Sequence, residues 1–186
     1  MSNGGDRLRD SAGTAPIRVL VVEDSPVARM LLTHLIGSDP QLALAGVAGD
    51  GEEGVAAATR LRPDVIVMDI HMPKLDGFAA ARQIMETCPT RIVMVTASTS
   101  AKDVAATFHA LEAGALAVLA KPVGPGNPGF EAATAELLQT VKLMAEVPVV
   151  RRWPRRGGAS PPAAAALPAV GAKISVVALG ASTGGP

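Results

Sequence analysis

The chain has 186 residues, 48% of them hydrophobic and 2% aromatic, with 17 basic and 17 acidic side chains in balance. That length allows one good domain plus something smaller, with a core of Val, Leu, Ile, Ala and Met. One cysteine, Cys88, excludes a disulfide framework or Cys-rich metal site and reads as a small buried hydrophobe.

The expected elements alternate strand and helix five times. Residues 1–16 are Gly- and Ser-containing with mixed charge, a disordered leader without the apolar core of a signal peptide. Residues 18–22 form an apolar run ending at Glu23-Asp24. Ser25 is placed to cap a first helix, with Pro26 at its first position, ending near Gly37. A second strand covers 42–48, and Asp50 caps a helix with Glu52 and Glu53 in its first turn, ending before Pro63. Residues 65–68 run into Asp69, followed by a loop with Pro73 and Asp76-Gly77 and a third helix to about Thr87. Residues 92–95 run into Thr96; Ser98 to Ser100 offer the next cap, and Gly114 closes the fourth helix. Residues 116–120 run into Lys121-Pro122, and Asn127-Pro128 is expected to cap a fifth helix to about Glu146.

β-branched runs of this kind read as strands buried on both faces of a parallel sheet. Five βα units in about 130 residues predict a doubly wound α/β domain with helices on both faces. Asp24 and Asp69 can meet only if strands 1 and 3 are neighbours, which gives the order 2-1-3-4-5.

Charge is unevenly distributed. Residues 17–146 hold ten Lys and Arg against fifteen Asp and Glu, a net of −5, while residues 147–186 hold five basic residues and no acid. Residues 147–173, with Gly157-Gly158, Pro161-Pro162 and an alanine run, have linker composition. With one aromatic, Trp153, this stretch is not read as a nucleic-acid site. Residues 174–179 resume as a buried-type strand and run into Gly180-Ala181-Ser182-Thr183-Gly184, a G-x-S-x-G pattern that projects a serine hydroxyl beside a backbone N–H. A phosphate loop is the competing reading, but neither G-x-G-x-x-G nor GK[ST] is present.

In open parallel sheets, ligands bind outside the carboxyl ends of the strands. Glu23, Asp24, Asp69, Thr96 and Lys121 would therefore share one crevice. Three carboxylates repel one another without a cation, and oxygen-only ligands suit Mg²⁺. Asp69 is the candidate nucleophile toward phosphorus, Lys121 a compact cation for phosphoryl oxygens, and Thr96 a hydroxyl donor. The competing reading makes the acids helix caps and Lys121 a solvated charge; four strands ending alike favour the site.

These residues carry a resemblance. Residues 17–146 resemble a response-regulator receiver domain through Glu23-Asp24, Asp69 in Met68-Asp69-Ile70-His71-Met72-Pro73, Asp76-Gly77, Thr96-Ala97 and Lys121-Pro122. The resemblance implies a flavodoxin-like fold, with Asp69 accepting phosphate from a histidine kinase. It also implies that Asp24 and Asp69 bind Mg²⁺ directly and Glu23 through water, that the His71 carbonyl completes the site, and that Thr96 and Lys121 sense the phosphoryl group. Val118 stands three residues before Lys121, where the family usually has an aromatic, so switching must rely on the Thr96 loop and repacking or else be weaker.

With the basic linker and serine elbow, the arrangement resembles the chemotaxis protein-glutamate methylesterases. That implies a second α/β domain beginning at 174–186, in which Ser182 attacks glutamate methyl esters of chemoreceptors, many members also deamidating glutamine, under receiver control. Such a serine needs a His base and an acid. His34, His71 and His109 all fall in the receiver, so the 186-residue chain is expected to be inactive as an esterase. No apolar stretch reaches the roughly 18 residues of a membrane span, and a cytoplasmic monomer is expected. A stand-alone receiver acting by docking is the alternative. A DNA-binding output is disfavoured because no helix-turn-helix pattern follows residue 146.

Overall fold

A computed structural model of the chain describes residues 15–97 and 109–149. It contains β1 (Ile17–Val22), α1 (Pro26–Ser38), β2 (Leu42–Ala48), α2 (Gly51–Leu61), β3 (Val65–Asp69), α3 (Gly77–Thr87), β4 (Arg91–Thr96), helical residues 109–113 (α4), β5 (Ala117–Ala120) and α5 (Phe130–Ala145). The five strands are parallel in the order β2-β1-β3-β4-β5, as the sequence pattern predicts.

Strand side chains point alternately to the two faces, and this period divides the core in two. Leu20, Val22, Ile66, Met68, Ile92 and Met94 face one side and pack with Ala57, Ala81 and Ile84 of α2 and α3. Val19, Val21, Val65, Val67, Val93 and Val95 face the other and pack with Leu32 and Ile36 of α1 and Leu137 and Val141 of α5. Both faces of the central strands are thereby covered, which is why they carry unbroken apolar runs rather than alternating ones. Cys88 is buried at the end of α3, in the first of these cores.

The helix starts follow the sequence. Ser25 Oγ accepts from Ala28 N and Asp50 Oδ1 from Glu53 N, and Asp76, read from the sequence only as a loop residue, also caps, its Oδ1 accepting from Ala79 N. Gly114 ends α4 with φ of +104°, a left-handed conformation that favours glycine.

Two expectations need correction. β5 is not buried on both faces: it is an edge strand paired only with β4, its residues are half-buried, and Ala120 is exposed. Asn127 does not cap α5. Its side-chain amide donates to Gly124 O at 3.0 Å, and α5 starts from Gly129, whose φ of +85° makes the turn without a side-chain cap. The leader up to residue 14, the Ser98–Ser100 cap, most of the linker, the strand at 174–179 and Ser182 lie outside the described residues.

Candidate acidic site at the strand ends

The connection direction reverses between β1 and β3, so a crevice opens beyond their carboxyl ends. Val22 pairs with Met68, which sets Glu23 beside Asp69. The Glu23 amide donates to Ala48 O at 3.1 Å, extending the ladder one residue past β1, and the chain then turns through Asp24 into α1. One carboxylate oxygen from each of Glu23, Asp24 and Asp69 lies within 4.8 Å of the other two. Glu23 and Asp69 are buried and Asp24 is exposed, so the cluster opens to solvent on one side.

Lys121, the residue after β5, reaches across the end of the sheet. Its Nζ is 2.8 Å from Glu23 Oε2 and 3.0 Å from Asp69 Oδ2. Burial pushes the Glu23 carboxyl above its ordinary range, more than the hydrogen bond from Lys121 lowers it, and the Asp69 charge adds to the rise. Burial of Lys121 works against its charge, but its hydrogen bonds to Glu23 and Asp69 outweigh that and hold its ammonium above the ordinary lysine value. One cation thus pairs with two of the three carboxylates. The remaining negative charge and the oxygen-only donor set fit a hard divalent cation such as Mg²⁺.

Thr96 ends β4 and is buried; its carbonyl accepts from the Lys121 amide at 2.8 Å, which ties the two residues at adjacent strand ends. His71, two residues past Asp69, has an exposed side chain. The loop after Asp69 is tightly seated. The Gly77 amide donates to Ile70 O at 2.9 Å, and a Cβ on Gly77 would stand 2.3 Å from Asp69 O. Lys74, with φ of +62°, pairs with the buried carboxylate of Asp50, and a Cβ on Gly51 would stand 2.1 Å from Leu75 O. These contacts fix the loop against the start of α2. Neither Lys74 nor Arg29 (below) stands out in the sequence, because each acts through a neighbour distant in the chain or through main-chain carbonyls.

An apolar groove of about 550 Å³ adjoins the crevice. It is lined by Val27, Met30, Leu31 and His34 of α1 and by Pro122 and Pro125 after β5. Val27 and Met30 are 73% and 70% exposed, unusual for large apolar side chains.

Residues 19–127, more than half of the chain, match the family model described as the response regulator receiver domain. The chain belongs to the response regulator receiver family. This receiver is similar to the response regulator domain of Thermotoga maritima CheB, at 42% identity and a TM-score of 0.65, over 72% of this chain and 98% of that one. It is also similar to a chain in the CheX-CheY-BeF3-Mg+2 complex from Borrelia burgdorferi, at 29% identity and a TM-score of 0.58, over 69% of this chain and 89% of that one. Among curated proteins, it is 51% identical over 173 residues to a protein-glutamate methylesterase/protein-glutamine glutaminase of Nitrosospira multiformis. That alignment takes in 91% of this chain and 49% of the relative, so the chain spans about half the length of the curated relatives it matches. It is a homologue of the methylesterases, as the receiver motifs and the serine elbow led one to expect. No helix among the described residues is long and apolar enough to cross a membrane.

Proposed function

We propose that the receiver is a phosphorylation switch for a chemotaxis methylesterase, with Asp69 as phosphoacceptor. The carrying observation is Asp69 itself, a nearly buried carboxylate at the switch-point crevice. It stands within 4.8 Å of two further carboxylates and 3.0 Å from an ammonium. An Asp69 oxygen attacks phosphorus; the new O–P bond forms as the P–N bond of a kinase phosphohistidine breaks, and the electron pair leaves on the imidazole nitrogen. Asp24, Asp69 and the His71 carbonyl would hold Mg²⁺, with Glu23 acting through water. When bound, Mg²⁺ neutralises the carboxylates and the phosphoryl oxygens.

Lys121 then exchanges part of its carboxylate pairing for the phosphoryl group, and Thr96 supplies a hydroxyl to it. Because the Lys121 amide is bonded to the Thr96 carbonyl, movement at one strand end is felt at the other. Val118 is half-buried and packs on the core shared with α2 and α3, so the response passes through repacking there rather than through a swinging aromatic ring. The apolar groove beside the crevice gives the histidine kinase a place to dock. The output it would gate is methylesterase and glutaminase action on chemoreceptors in the cytoplasm, with Ser182 as nucleophile beside a His base and an acid that the 186 residues do not supply outside the receiver. The similarity to the methylesterase of Nitrosospira multiformis supports this output over a stand-alone receiver. The test is incubation of the chain with Mg²⁺ and a small acyl phosphate. Stoichiometric phosphate uptake that is lost on chelation and in Asp69→Asn is expected; uptake indifferent to both would refute the reading.

A further inference from the structure

Arg29 sits one helical turn into α1, half-buried. Side chains on a helix lean toward its N-terminus, so this one reaches back over the turn that joins β1 to α1. There its Nη1 donates to Glu23 O at 2.6 Å and lies 3.3 Å from Asp24 O. The same nitrogen would stand 3.6 Å from a Cβ on Gly49, so the guanidinium is wedged between the acidic turn and the loop after β2. Its backbone is fixed as well, with the Arg29 amide bonded to Ser25 O at 2.8 Å.

We propose that Arg29 is the positioning residue of the metal site. Its role rests on the reading that Glu23, Asp24 and Asp69 hold Mg²⁺. Glu23 and Asp24 are consecutive, and their carboxylates must enter one crevice despite mutual repulsion. Consecutive residues in extended backbone point to opposite sides, so the main chain must be bent at this point. Arg29 secures the bend by gathering both carbonyls onto one cation through charge-assisted hydrogen bonds. It touches neither carboxylate oxygen; it acts on the main chain that aims them. Both bonds come from the one nitrogen Nη1, and a lysine there would bring a single ammonium on a shorter reach.

The test is Mg²⁺ titration by isothermal calorimetry on the full chain and on Arg29→Ala and Arg29→Lys, with thermal melts of the metal-free forms. Loss of a group that orients metal ligands weakens binding by roughly 10-fold or more. Arg29→Ala is expected to bind Mg²⁺ roughly 10-fold more weakly, with Arg29→Lys in between. If Arg29→Ala does not fold, weaker binding by Arg29→Lys carries the same expectation. Lowered melting with unchanged Mg²⁺ affinity would make Arg29 merely structural and overturn the proposal. Normal binding by the unsubstituted chain with unchanged affinity in the variants overturns the role of Arg29 alone. No binding by the unsubstituted chain overturns the metal site and this inference with it.

Discussion

The ammonium of Lys121 lies 3.0 Å from the carboxylate of Asp69, at the ends of two strands that are not neighbours in the sheet. It spans the end of β4 to do so, and the same nitrogen neutralises Glu23 at 2.8 Å. In the metal-free fold this ammonium is the cation paired with the buried Glu23 carboxylate, whose other oxygen accepts from the Ser25 amide at 3.2 Å.

Lys121→Met should be destabilising, because it leaves Glu23 fully buried without its cation. Breaking one partner of a buried pair costs about 3 kcal/mol. Denaturant unfolding should show a loss of that order without Mg²⁺ and a smaller one with saturating Mg²⁺. Equal losses in both conditions would mean that Lys121 and the metal do not share the same charges.

The buried Glu23 carboxyl sets a pH dependence. Its folded value is raised by burial, so the folded state binds this proton more tightly than the unfolded chain. That contribution is complete below about pH 4.5, the ordinary value, and is lost as pH rises through the raised folded value. Metal-free Glu23→Gln should lack this fall, seen as a flatter stability profile from about pH 4.5 upward. Mg²⁺ favours the charged carboxylate and should move the optimum of the unsubstituted chain to higher pH. Superimposable profiles would contradict the assignment.

Two glycines should respond in opposite directions. Gly77→Ala drives a methyl to 2.3 Å from Asp69 O, an overpacking that costs about 2 kcal/mol and displaces the Asp69 strand end. Gly37 lies inside α1 with nothing within 4 Å of the added carbon. Gly37→Ala should therefore stabilise by about 0.5 kcal/mol. Thermal melts of both variants check the pair; equal effects would show that the space around Gly77 is not the constraint.

Much of this was legible in the sequence because the information is local or periodic. Ser25 and Asp50 each cap the helix they precede, and the apolar runs before Glu23, Asp69 and Thr96 are the buried strands. Sheet order followed from one requirement, that Asp24 and Asp69 meet. The start of α5 was misplaced because Asn127 has two possible partners, and only the fold decides that its amide turns back to Gly124. The exposure of β5 depends on its edge position, which a short run of residues does not encode. Arg29 and the Asp50–Lys74 pair were invisible for a related reason. A charged residue in a helix or loop reads as solvated until a distant segment is brought against it.

The central claim is that Asp69 carries the phosphoryl group. Its most direct test is to phosphorylate the chain with a small acyl phosphate and Mg²⁺, trap the acyl phosphate reductively, and map the altered residue by peptide mass spectrometry. Modification confined to Asp69 is the expected result. Modification at Asp24, Glu23 or His71 with Asp69 intact would contradict it.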